Sequence, residues 1–437
     1  MNMETTAHQS LPSSASLSVI SLHPALVLMV VGLMTFCYFQ QKRNKKSKKT
    51  PPGPRGLPFL GCILQLIRNP LGKLREYADT YGPVYTMKVG PVEIVVLNSI
   101  EAMREAFITK GSVFNNRPDR FKKLLGVDGG LVLLQHGKFH NEQRMLFSKV
   151  MRKMDNSVYD NCVSNHIDHF NQALENSKGS SVDICPLIDE VIFACVGQMT
   201  FGVKTEVSHI RKLVKGNLSN NPFLVLSGKA IPENIKPKIS KYVDMSTNFQ
   251  KSMKNIIELV MERRQSNDFH HEFSDIIDGF LHTYGVMEEE HECSGKSGSP
   301  FLEEASTSNQ QLAAILLDCY QAGMEATTAQ TLWVFLYLAR NVHVQRKIQE
   351  EMDQVIGRDN TPSIKHKNHH PYTLATISEV QRIRPAASLG APHSSTLDST
   401  LSGMTFQQRH LSYLIYGLYI WTPGTGTNLK NSDQRDS

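Results

Sequence analysis

The sequence predicts a mainly α-helical domain with one small β-sheet near its start. Three observations carry that expectation. Most of the chain beyond residue 140 repeats apolar residues at helical spacing. Only two short β-branched runs, 84–89 and 93–97, read as strands, and Gly90-Pro91 joins them as a hairpin turn would. The 437 residues are 40% hydrophobic and 20% charged, an ordinary globular composition with enough chain for a large core. Length alone allows two or three domains, but no internal repeat and no Pro/Ser-rich linker divides the middle, so one large domain is equally compatible.

In chain order, residues 1–16 precede an apolar run over 17–39, interrupted only by Ser18, Ser21, His23, Pro24 and Thr35. That is near the roughly 20 residues that span a bilayer. No Lys or Arg precedes it, and Lys42, Arg43, Lys45, Lys46, Lys48 and Lys49 follow it directly. This asymmetry predicts a membrane anchor with 1–16 in the lumen and the remaining chain on the cytoplasmic face. A cleaved signal peptide would carry its positive charge ahead of the apolar stretch. Pro51, Pro52, Pro54 and Pro58 fix φ and remove amide donors, so 40–58 reads as a basic, then stiff, spacer. Helices are predicted over 142–154, 159–176, 187–200, 248–265 and 273–281. Pro186 sits at the start of the third, where a missing donor costs nothing. Residues 288–307 are polar and rich in Ser, Glu and Gly, as a loop is. Residues 309–339 are long and largely apolar, so a helix buried on most sides is expected. Two more helices, 342–356 and 374–383, follow.

Charge and cysteine usage exclude several classes. The net charge of +6 equals the six-residue basic cluster, which leaves the rest near neutral. A nucleic-acid binder would spread positive charge over its folded surface. Seven cysteines stand far apart with no CxxC pair, against a disulfide framework or a zinc site. Reduced thiols in apolar surroundings are expected instead.

Three motifs carry chemistry. Ala322-Gly323-Met324-Glu325-Ala326-Thr327-Thr328 places a glycine inside the long helix. Such a glycine costs about 1 kcal/mol relative to alanine, so it needs a reason. Glu379 and Arg382 stand at i and i+3, where they share a helix face and can pair. Gly137-Lys138-Phe139-His140-Asn141-Glu142-Gln143-Arg144 ends on an arginine whose guanidinium suits a carboxylate. Each motif alone is also compatible with an ordinary helix.

Taken with the apolar run, the basic run and the segment Pro51-Pro52-Gly53-Pro54-Arg55-Gly56-Leu57-Pro58, in that order, the motifs resemble the microsomal branch of the cytochrome P-450 monooxygenase family. Phe114-Asn115-Asn116-Arg117-Pro118 and Met199-Thr200-Phe201-Gly202 look like family segments too, so the resemblance covers roughly 51–403. It implies a cytochrome P-450 fold, incomplete at the C-terminus, with haem b as cofactor. It also implies electrons from NADPH-cytochrome P-450 reductase, a small lipophilic substrate and the endoplasmic reticulum membrane. By the same resemblance Gly323 makes room for dioxygen, and Glu325 and Thr327 pass protons to it. Glu379 and Arg382 form a structural ion pair, and His140, Arg144 and His393 reach the haem propionates. Residues around 124–134, 223–226 and 385–392 would line the substrate pocket.

The sequence departs from the family at four points. Ala326 stands where the alcohol normally follows the acid, and Thr327 lies one residue on, about 100° around the helix. His140 stands in place of a tryptophan. No PERF-type segment follows the ion pair. The motif F-x-x-G-x-R-x-C-x-G, whose thiolate ligates the iron, is absent, and Cys319 is the last cysteine. The domain is therefore expected to run over 59–403 and to give way to an aberrant tail over 404–437. Read one base out of frame, the codons for 421–437 permit MDPGYWDEPEKFRPERF, the order of the family's meander, so a frame change between about 403 and 421 is inferred. Two functions are open on this reading. One is a haem-thiolate monooxygenase whose 437-residue form is inactive. The other is a non-catalytic membrane protein that is retained or degraded.

Overall fold

A computed structural model describes residues 31–32, 35, 51–58, 60–66, 69–90, 92–118, 129–154, 156–202, 240–266, 273–283, 309–358, 360–387 and 389–406. The chain divides into two units, 1–48 and 49–437. In the first, only Val31, Gly32 and Thr35 are described, as helix. Among the described residues no helix is long and apolar enough to cross a membrane, and the span predicted over 17–39 lies almost wholly outside them.

The second unit is mainly helical. Helix α1, Pro70–Tyr81, begins where Asn69 Oδ1 accepts from the Gly72 amide at 3.0 Å and Pro70 takes the first turn. The sequence reading left this helix out. Strands β1, Val84–Val89, and β2, Val92–Leu97, pair antiparallel as the predicted hairpin. Both are almost wholly buried, and the Tyr85 hydroxyl donates to the Leu74 carbonyl of α1 at 2.7 Å. The Pro-rich segment is not the stiff spacer expected. The Thr86 amide of β1 donates to the Pro52 carbonyl at 2.7 Å, and a side chain at Gly53 would collide with the Thr86 backbone. An extended chain without amide donors suits a strand edge that supplies its own.

Helices α2, Lys138–Lys153, α3, Asn156–Asn176, α4, Cys185–Phe201, and α5, Ser240–Ser266, follow near their predicted places. Helix α6 runs over 276–283 rather than from 273, because Asp275 Oδ1 caps it by accepting from the Asp278 amide at 2.9 Å. Helix α7, Asn309–Arg340, is the axis of the unit; α8, Val342–Val355, and α9, Pro371–Ile383, pack on its far half. The main core lies where α2, α4, α5 and α6 surround the near half of α7, through Val150, Phe193, Phe201, Ile256, Phe280 and Leu316.

Helix α7 is not buried on most sides. Residues 311–317 and Tyr320 are buried, but no residue beyond Tyr320 is, and Phe335 and Leu336 are 40% and 47% exposed. A second hairpin lies at the end of the described chain. Strand β3, Ser399–Leu401, pairs with β4, Met404–Phe406, across Ser402 and Gly403, both at positive φ as a two-residue type I′ turn requires. The domain boundary expected after 403 falls inside this hairpin. Leu401 and Phe406 are buried with Val84, Val95, Leu97 and Phe114, so burial rather than composition decides their place.

Candidate functional site

Asn116 ties three distant segments together through its carbonyl and its side chain. Its carbonyl accepts from the Ser394 amide at 2.8 Å, and its Oδ1 accepts from the His136 amide at 2.9 Å. Arg117 beside it donates from Nη1 to the Pro392 carbonyl at 3.0 Å and accepts at its own carbonyl from Gln135 Nε2 at 3.0 Å. Residues 113–117, 135–144 and 392–396 therefore meet, and they bring Arg117, His136, His140, Arg144 and His393 together.

This cluster is electropositive. The rings of His136 and His140 lie 6.0 Å apart, and each encloses an Nδ1 without a protein partner. Loss of solvent, then His136, Arg117 and Arg144, holds His140 below the usual imidazole pKa, so it is neutral at pH 7. His393 is buried, and loss of solvent followed by Arg117 pushes its pKa down to about 3. Its Nδ1 lies 3.2 Å from the Phe114 carbonyl, and its ring stacks 4.5 Å from Phe107. A neutral imidazole has one N–H. With that proton on Nδ1, it is donated to the Phe114 carbonyl. His393 thus anchors 392–396 to Phe114. The sequence reading quoted Asn116 and Arg117 without a role and passed over His136; an exposed-looking loop gives no sign of three segments converging.

The middle of α7 carries Gly323, Glu325 and Thr327. A Cβ at Gly323 would lie 3.1 Å from Val196 Cγ1, so the glycine lets α4 approach closely. Glu325 is exposed as a residue, yet protein around its carboxyl excludes enough solvent to raise its pKa. Thr327 is exposed and lies about 200° around the helix from Glu325. Thr328, which the sequence reading did not single out, shares the Glu325 face with Gln321, and Thr328 Oγ1 and Gln321 Nε2 are both enclosed without a protein partner. On α9, Arg382 pairs with Glu379 through Nε–Oε2 and Nη2–Oε1, both 2.7 Å, a bidentate fork that raises the guanidinium pKa. Residues 385–387 and 389–392 are described; 124–128 and 223–226 lie outside the described residues.

The chain matches the cytochrome P450 family over residues 51–411. It belongs to the cytochrome P450 family. It is 27% identical to cytochrome P450 2C25 of Mesocricetus auratus, over 85% of this chain and 76% of that protein. It is 28% identical to cytochrome P450 1A1 of Macaca mulatta, over 86% and 75%. It is 27% identical to cytochrome P450 2J2 of Homo sapiens, over 87% and 75%. Membership makes haem the family's cofactor and haem-thiolate monooxygenation its chemistry.

The described residues of this P450 fit haem on one side only. Arg117, His140 and Arg144 present guanidinium and imidazole groups suited to two carboxylates. Among the described residues no thiolate donor faces an iron site on the other side. Cys319 is the last cysteine in the sequence, and it packs against the main core on α7. Burial, then Asp318, pushes its thiol up to about 12, so it is neutral at physiological pH. Among the described residues no group of three or more His, Cys, Asp or Glu side chains is arranged to hold a metal.

Proposed function

We propose that this chain is built on the scaffold of a haem-thiolate monooxygenase and that the 437-residue polypeptide does not itself insert oxygen. The observation that carries this reading is the cysteine inventory: beyond Cys319, a neutral thiol facing the core, the sequence offers no soft anionic ligand. Arg117, His140 and Arg144 are the carboxylate-binding end of the scaffold. Glu325 is its proton carrier, with a carboxyl whose pKa loss of solvent raises above the usual carboxylate value and Thr328 on the same face. Thr327 serves at the Gly323 face. Glu379 and Arg382 hold the end of α9 in place.

Residues 421–437 are compatible with codons that, read in the neighbouring frame, spell the family's meander, and we infer an intact product in that frame. That product would take electrons from NADPH-cytochrome P-450 reductase and hydroxylate or epoxidise a lipophilic compound. The apolar run over 17–39, followed by six basic residues, supports an endoplasmic reticulum anchor with the domain on the cytoplasmic face. A second reading, a non-catalytic membrane protein, is favoured by the uncovered far half of α7, whose apolar side chains invite association or degradation.

A reduced carbon-monoxide difference spectrum on the purified full chain, supplied with haem, tests the proposal. We expect no thiolate-type Soret band. Such a band would require a ligand this reading denies and would overturn it.

A further inference from the structure

We propose that Asp318 and Gln311 are positioning residues for the basic cluster and act through the turn at 129–132. This rests on reading that cluster as the functional end of the molecule, but not on what occupies it. The two side chains are seven residues apart on α7, two turns, and so share a face. Gln311 Oε1 accepts from the Gly130 amide at 3.0 Å, and its Nε2 donates to the Gly130 carbonyl at 3.2 Å. Asp318 Oδ2 accepts from the Leu131 amide at 2.6 Å and the Val132 amide at 2.8 Å. Ala314 lies between them and forms the floor.

The turn is shaped to this socket. Gly129 and Gly130 sit at φ +148° and +80°, where side chains are strained. A Cβ on Gly129 would lie 2.7 Å from Gln311 Oε1 and 3.3 Å from Ala314 Cβ, and one on Gly130 would collide with Asp318 Oδ2. Four hydrogen bonds thus reach from one helix face to three consecutive residues. Only Leu133, Leu134 and Gln135 separate Val132 from His136, and α2 with His140 and Arg144 starts at Lys138. Fixing 130–132 therefore fixes where the imidazoles stand. The charged and titratable groups around Asp318 are Arg117, across from α7, and Cys319 on α7 itself. The Asn116 and Gln135 hydrogen bonds hold the other side of the same segment.

The test uses the full chain and three variants. Asp318→Leu keeps the volume without an acceptor, Asp318→Asn keeps an acceptor without the charge, and Gly130→Ala pushes the turn off the socket while leaving α7 intact. The readouts are peptide-resolved amide exchange over 129–140 and the rate at which diethyl pyrocarbonate acylates His136 and His140. We expect Asp318→Leu and Gly130→Ala to speed exchange at 130–132 at least tenfold and to raise acylation of both histidines, because the Leu131 and Val132 amides lose their acceptor. Asp318→Asn should stay within about threefold of the parent on the same hydrogen-bonding ground. Unchanged exchange and acylation in Asp318→Leu would overturn the proposal. So would a uniform rise along α5, α6 and α7 shared by all three variants, which would mark Asp318 as an ordinary core residue. Neither outcome bears on whether haem binds, so the two readings fail separately.

Discussion

Asp275 has its side chain fully buried beside Asp278, and Arg263 answers both, at 3.1 Å and 2.7 Å. Arg263 also donates to the Phe201 carbonyl at 3.3 Å, which locks the end of α4 to α5 and α6. Burial first, then repulsion from Asp278, pushes the Asp275 carboxyl up to about 6, so the single guanidinium does not fully offset the loss of water. The ionised form is thus disfavoured in the fold relative to the unfolded chain. The stability Asp275 lends is complete below its unfolded pKa near 4 and is lost as pH rises to about 6. Asp275→Asn does not titrate. Its thermal transition should gain on the parent between about pH 4 and 6, by on the order of 2 kcal/mol; a constant difference across that window would refute the assignment. None of this was legible beforehand, because Asp275 and Arg263 read as ordinary polar residues until three helices meet around them.

At the scale of elements, the start of α9 shows how one helix positions another. Glu351 on α8 accepts from the Tyr372 amide at 2.8 Å, the Thr373 amide at 2.9 Å and the Thr373 hydroxyl at 2.6 Å. His370 provides no side-chain cap and Pro371 has no amide, so the open donors of α9 are met from its neighbour. Loss of solvent raises the Glu351 carboxyl, but these hydrogen bonds outweigh it and the net shift is downward. Glu351→Ala should lower stability by about 1–2 kcal/mol, read as a fall in the thermal transition, with Glu351→Gln recovering part of it. The effect should also loosen the Glu379–Arg382 fork two turns on, visible as faster amide exchange at 379–383. Periodicity found α9 but began it at 374 rather than 371. The cap is a long-range contact and has no local signature.

At the scale of the whole molecule, the chain closes on itself between its first hairpin and its last. Phe406 stacks edge-on with Phe114 at 6.3 Å, and both are buried with Val84, Val95 and Leu97. Lys110 clasps the same hairpin by donating to the Thr400 carbonyl at 2.5 Å, and Glu105 accepts from the Ser402 amide at 2.8 Å. Phe406→Ala should therefore cost about 3–5 kcal/mol, as large-to-small changes in cores do, and lower the thermal transition of the full chain by several degrees. No change would mean that the hairpin is not seated. The uncovered far half of α7 stands at the opposite extreme, since full burial on this helix stops at Tyr320, two residues beyond Asp318.

The sequence by itself determined the family, the predominance of helix, the first hairpin, the pairing of Glu379 with Arg382 and the lack of a cysteine beyond Cys319. These follow from local periodicity, from motif order and from the inventory of residue types, all of which survive without a fold. Only the tertiary structure decided that Arg117 and His136 join His140, that His393 lies against the Phe114 carbonyl, that Thr328 Oγ1 and Gln321 Nε2 are enclosed without a protein partner, and that Asp318 grips a glycine turn. Each depends on contacts between residues far apart in the chain, where burial and an unmet hydrogen bond, rather than local preference, choose the partner.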